Sequence, residues 1–156
     1  MINQGTTFYF SIPFEKVKAE PKKIAVENEL KEIIFQEKNI LIVEDNDGNA
    51  ELLKNYLEPT GIIITHAING KQALEAFEKN KFDIILMDIN LPDINGLEVT
   101  KQIKKINTTI PIISQTAYAM QNEKEKFLQA GCDDYISKPI NSKLLIEKIT
   151  HHLRKG

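Results

Sequence analysis

The chain has 156 residues, with 20 Lys and Arg against 22 Asp and Glu and a formal net charge of −2. That length holds one hydrophobic core of ordinary size plus an appendage, and the absence of a basic stripe argues against nucleic acid as a partner. A single cysteine, Cys132, excludes an internal disulfide and a cysteine-based zinc cluster.

No apolar run approaches the ~18 residues of a membrane span, and the first residues lack the basic-then-apolar form of a signal peptide. The fragment reads as cytoplasmic and without direct membrane contact, while a longer parent protein could carry a membrane anchor.

Residues 5–10 alternate aromatic and polar side chains as a half-buried strand does, and Ser11, Ile12 and Pro13 end the run. Residues 15–37 are charged and carry Pro21, with Ile24, Leu30, Ile33, Ile34 and Phe35 loosely spaced for an amphipathic helix. This stretch is expected to be a linker, either a solvated tether or a docked helix. From Lys38 onward, short β-branched runs alternate with helix-period segments, the pattern of βα units around a parallel sheet. Five units are counted, with strands expected over 39–44, 61–66, 82–87, 110–115 and 133–137 and helices over 47–58, 70–80, 95–105, 118–130 and 141–153. Asn46 and Asp47 can cap the first helix, Pro59 and Gly61 stop it, Asn69 and Gly70 lead into the second, and Gly131 closes the fourth.

Four of the five strands share a manner of ending. The first runs into Glu44 and Asp45, the third into Asp88 ahead of a break at Pro92, the fourth into Thr116, and the fifth into Lys138 and Pro139. In one parallel sheet these ends share an edge, where α/β folds bind ligands. Three carboxylates gathered there repel one another unless a cation sits among them. Mg²⁺, which takes hard oxygen ligands and commonly one or two carboxylates plus a phosphoryl oxygen, suits that inventory. Asp45 and Asp88 are then the direct ligands, with Glu44 acting through water. Asp45 also stands where a helix cap would, and Asp88 where a surface Asp precedes a Pro turn. Lys138 supplies a point charge for a phosphoryl oxygen, and Pro139 can hold a cis bond that aims it inward. Thr116 offers a hydroxyl donor or a turn residue, Tyr135 a core or a movable aromatic. His66, His151 and His152 are expected to be solvated surface residues.

Taken together, Glu44-Asp45, the run from Leu86 to Pro92, Thr116-Ala117 and Lys138-Pro139 resemble the receiver domain of two-component response regulators over about residues 38–153. The resemblance implies a flavodoxin-like (βα)₅ three-layer sandwich, with a parallel five-stranded sheet of order 2-1-3-4-5. It implies Asp88 as the phosphoacceptor, and Mg²⁺ held by Glu44, Asp45, Asp88 and the backbone carbonyl of Asn90. It further implies Lys138 against the phosphoryl group, Thr116 and Tyr135 as a switch pair, and a histidine kinase domain or histidine phosphotransfer protein as partner. Asn95 stands where many members carry Asp, Gln115 where many are apolar, and Tyr118 where the family tunes dephosphorylation. The residues from Gly5 to Pro13 resemble the closing strand of the ATP-binding domain of sensor histidine kinases. Residues 1–14 are accordingly expected to be a remnant of that domain, 15–37 a linker and 38–156 the receiver, as in the C-terminal part of a hybrid sensor kinase. Only a scrap of the nucleotide domain would remain, so ATP binding is not expected. Two rivals stay open: a phosphorylation-independent interaction module, and an aspartyl-phosphate-forming phosphatase, for which Asn90 stands where such enzymes place a general acid.

Overall fold

The computed structural model describes residues 33–117 and 121–154, together with positions 9 and 11. The expectations for most of residues 1–14, for all of 15–32 and for Tyr118 lie outside the described residues. Five strands alternate with five helices: β1 (Asn39–Val43), α1 (Asp47–Leu57), β2 (Ile63–Ala67), α2 (Gly70–Lys79), β3 (Ile84–Asp88), α3 (Gly96–Ile106), β4 (Ile112–Thr116), α4 (Gln121–Ala130), β5 (Asp134–Ser137) and α5 (Ser142–Leu153). The strands form one parallel sheet in the order β2-β1-β3-β4-β5, the doubly wound arrangement expected from the alternation of periods. The chain leaves β1 toward β2 on one side and returns to β3 on the other. The crevice beyond the carboxyl ends of β1 and β3 is therefore the topological switch point, where such sheets place ligands.

The strands read as unbroken apolar runs because both faces are covered. Side chains alternate along each strand, so Ile40, Ile42, Ile84, Leu86, Ile113 and Ile136 meet Leu53 and Leu57 of α1 and Leu145, Ile146 and Ile149 of α5. The opposite set, Leu41, Val43, Ile85, Met87 and Ile112, meets Ala73 of α2 and Val99 and Ile103 of α3. A smaller cluster joins Ile89, Phe127 and Cys132, with Leu97 and Tyr135 against it.

Local chemistry sets the element ends. The side chains of Asn46, Asn69, Asn95 and Asn141 cap α1, α2, α3 and α5 by accepting from Asn49 N, Gln72 N, Leu97 N and Leu144 N. Asp45 is thus not the cap of α1, and Asn95 serves as a cap with its amide oxygen. Gly131 closes α4 at φ +96°, with Gly131 N–H donating to Leu128 O and Cys132 N–H to Phe127 O. The fourth strand begins at Ile112 and not at Ile110, because Pro111 has no N–H for the ladder and offers only its carbonyl, which accepts from Ile85 N at 3.0 Å.

The end of the stretch expected as a linker is built into the domain. Phe35 is 7% exposed and belongs to the cluster beneath α1 and α5, its N–H bonded to Thr60 O at 2.7 Å. Phe35→Ala should therefore cost about 3 kcal/mol, at the low end for a buried Phe because the site lies at the rim of the core. Urea unfolding is the measurement; a change below about 0.5 kcal/mol would make this contact dispensable.

Candidate functional site

β1 and β3 lie side by side, with Val43 opposite Met87. The next residues, Glu44 and Asp88, therefore emerge together at the carboxyl edge, both buried. The exposed Asp45 follows, and one carboxylate oxygen from each of the three lies within 4.8 Å of the others. Lys138 arrives from the end of β5 across a cis Lys138–Pro139 bond. Its Nζ lies 2.6 Å from Asp88 Oδ2 and 2.7 Å from Glu44 Oε2. Burial opposes the ammonium, but hydrogen bonds and charge from Asp88 and Glu44 outweigh it and hold the Lys138 pKa above the ordinary 10.5. A raised lysine pKa means this pairing is fully present at neutral pH and is lost only as pH rises through the folded-state value.

The remaining oxygens are also engaged. Asp88 Oδ1 accepts the Asn90 N–H at 2.9 Å, and Glu44 Oε1 accepts Asn49 Nδ2 at 2.9 Å. The Glu44 carbonyl lies 2.8 Å from His66 Nε2, so His66 is half-buried and partnered, contrary to the solvated role expected for it. His152 is likewise half-buried, 3.5 Å from Asp134 through Nε2, whereas His151 is exposed. Asn49 was not singled out from the sequence, although it lies one helical turn beyond Asp45, where a side chain can fold back on the strand end. Asp93 was also missed. From the loop after β3 its carboxylate accepts from Gly70 N at 2.8 Å and Lys71 N at 3.0 Å, pinning that loop to the start of α2.

Thr116 is buried at the end of β4, and its carbonyl accepts the Lys138 N–H at 2.7 Å. Tyr135 is half-buried on β5, its ring 6.0 Å from that of Phe127 and 5.7 Å beneath Lys148 Nζ. Lys148 in turn is held by Asp134 at 2.7 Å. Burial tends to raise the Asp134 pKa, but Lys148, the Tyr135 N–H and His152 lower it below the usual carboxylate value.

The family model of the response regulator receiver domain matches residues 40–150. The chain belongs to this family, whose members act in two-component phosphorelay. Two curated relatives of this receiver are hybrid signal transduction histidine kinase I of Dictyostelium discoideum, 46% identical over 125 residues, and the autoinducer 2 sensor kinase/phosphatase LuxQ of Vibrio vulnificus, 36% identical over 149 residues. The matches cover 74% and 95% of this chain but only 7% and 17% of those proteins. Among solved structures, the receiver domain of the Pseudomonas aeruginosa sensor histidine kinase PA1611 has a magnesium ion coordinated in its active site cleft. It aligns with a TM-score of 0.69 at 35% identity, covering 74% of this chain and 97% of that one. The receiver domain of Ssk1 from Saccharomyces cerevisiae, in complex with the histidine phosphotransfer protein Ypd1, was found with a TM-score of 0.71 at 34% identity, covering 75% of this chain and 89% of that one.

Proposed function

We propose that Asp88 of this receiver accepts a phosphoryl group from a phosphohistidine, with Mg²⁺ held by Glu44, Asp45, Asp88 and the Asn90 carbonyl. The observation that carries the reading is the group of three carboxylates within 4.8 Å with a lysine ammonium 2.6 Å from one of them. The donor set is all hard oxygen, half of it buried and already oriented, which fits Mg²⁺ and leaves room for its waters on the exposed Asp45 side. When bound, that ion supplies charge neutralisation on the phosphoryl oxygens.

In the transfer, the P–N bond of the phosphohistidine breaks, a P–O bond to an Asp88 oxygen forms, and the imidazole leaves with its electron pair. Phosphoryl transfer asks for in-line positioning and electrostatic stabilisation more than for a base. Lys138 answers to the second need, as a fixed cation beside Asp88. The Asn90 N–H answers to the first by holding Oδ1 at 2.9 Å, which restrains rotation of the carboxylate. Once formed, the acyl phosphate adds about −1.5 to −2 charges and three acceptor oxygens. The Thr116 hydroxyl is drawn toward them, and Tyr135 responds on the face built by α4, β5 and α5.

The Ssk1–Ypd1 complex supports a histidine phosphotransfer protein or a histidine kinase domain as the phosphodonor. The length of the LuxQ match, beyond the receiver itself, supports reading residues 1–14 as a remnant of a kinase ATP-binding domain, 15–37 as a linker and 38–156 as the receiver of a hybrid sensor kinase. Among the described residues no helix is long and apolar enough to cross a membrane. A phosphatase reading is disfavoured, because Asn90 is a carboxamide and has no acid proton to give a leaving group.

The test is incubation with acetyl phosphate and intact-mass measurement. One phosphoryl group should be gained with Mg²⁺ and none after chelation. Equal labelling in both conditions, or none in either, would remove this reading.

A further inference from the structure

One polar side chain at the heart of the sheet has no bond at either end. Gln115 on β4 is 0% exposed, and neither Oε1 nor Nε2 has a hydrogen-bond partner. Native proteins rarely leave both ends of a buried amide unpaired without a use for them. Its register says what that use is. Gln115 stands opposite Asp88 on β3 and Ile136 on β5, and Glu44 continues the same row on β1, one residue past the Val43–Met87 pair. Residues in one row of a parallel sheet point to one face, and both Ile113, two residues earlier, and Ile136 face α1 and α5. Glu44, Asp88 and Gln115 therefore form a polar row on that face. β4 lies between β5 and β3, so Lys138, reaching from the end of β5 to Asp88 and Glu44, crosses the strand that carries Gln115.

Every carboxylate oxygen of Glu44 and Asp88 already has a partner: Lys138 takes one from each, Asn49 and Asn90 the others. The Gln115 amide shares in none of these bonds in this arrangement. That changes when a divalent cation and a phosphoryl group claim those oxygens, because the ammonium then loses acceptors while keeping three N–H donors to place. We infer that Gln115 is a positioning residue whose Oε1 becomes the alternative acceptor for Lys138 Nζ, holding the ammonium beside Asp88 while its other N–H bonds face the phosphoryl oxygens. The inference rests on the phosphoacceptor reading above. It gives Gln115 a role in the loaded state that an apolar residue of the same size cannot fill.

Gln115→Met keeps length and burial and removes only the amide; Gln115→Leu serves if the Met variant does not fold. The wild type and the variant are titrated with Mg²⁺ by calorimetry in the presence of beryllofluoride, and both are melted with and without the two ligands. The expected result has two parts. The variant's melting midpoint without ligands should rise, because an unpaired amide is gone, while its Mg²⁺ dissociation constant with beryllofluoride should weaken about tenfold, the low end for loss of a hydrogen bond to a charged group. The Gln115 side-chain amide resonances of the wild type should shift when Mg²⁺ and beryllofluoride are added. An amide that is only part of the core would move both midpoints equally and leave the Mg²⁺ constant and the amide resonances unchanged, which would overturn the inference alone. A wild type that shows no Mg²⁺-dependent response to beryllofluoride would overturn the phosphoacceptor reading and this inference with it.

Discussion

Asp88→Asn should gain no phosphoryl group from acetyl phosphate under conditions that label the wild type fully. The substitution is nearly isosteric, so the fold around β3 is kept, but the amide oxygen is a far poorer nucleophile than a carboxylate and one of three negative charges disappears from the site. Two consequences accompany the loss of labelling. Lys138 keeps Glu44 Oε2 at 2.7 Å but exchanges a charged partner for a neutral one, so its pKa should fall toward the ordinary value. Mg²⁺ should bind more weakly, because one of the carboxylates within 4.8 Å is gone. Intact mass reads the first effect and calorimetric Mg²⁺ titration the second. Full labelling of the variant would move the acceptor to another residue.

Gly96→Ala should destabilise the domain by about 3 kcal/mol or more and remove phosphorylation with it, although Gly96 bears no functional group. A β-carbon at this first residue of α3 would collide with the carbonyl oxygen of Asp88, and would lie 2.9 Å from both Asp88 C and Ile89 Cα. These are backbone atoms and cannot swing aside as a side chain would. The helix start approaches this closely because Gly96 N–H donates to Ile89 O at 2.9 Å, clamping α3 onto the strand end that presents Asp88. Either α3 moves away, exposing Val99 and Ile103, both fully buried, or the backbone of Asp88 shifts and its carboxylate leaves Lys138. Both are large costs for one methyl group. Urea unfolding together with acetyl phosphate labelling checks this; a variant within 1 kcal/mol of wild type that labels normally would contradict the geometry.

The sequence made the sheet and its carboxyl edge legible for a physical reason. A strand buried on both faces leaves little choice of residue, so Ile84 to Met87 stand out as an apolar run and Asp88 at its end stands out against them. The same contrast marked Glu44, Thr116 and Lys138. What stayed hidden depends on which elements meet in three dimensions. Phe35 lies in a charged stretch after a proline, and only the docking of that stretch beneath α1 and α5 buries it. Asn49 and His66 were unremarkable in the sequence because each serves Glu44 through a contact made across elements. Gln115 was noticed as an unusual residue, yet its isolation from every partner exists only once β3 and β5 flank it. Element ends moved where local chemistry outweighed the apolar pattern, as at Pro111.

The burial of Phe35 has a mechanical meaning. Residues 33–38 lead into the amino end of β1, while Asp88 opens at the carboxyl end of β3; a five-residue strand separates those poles by roughly 16 Å. Phe35 is thus buried at the end of the sheet away from Asp88. A pull applied to the chain at Ile33 is therefore felt first by Phe35 and the residues of α1 and α5 packed around it, and reaches the carboxylates only through the sheet.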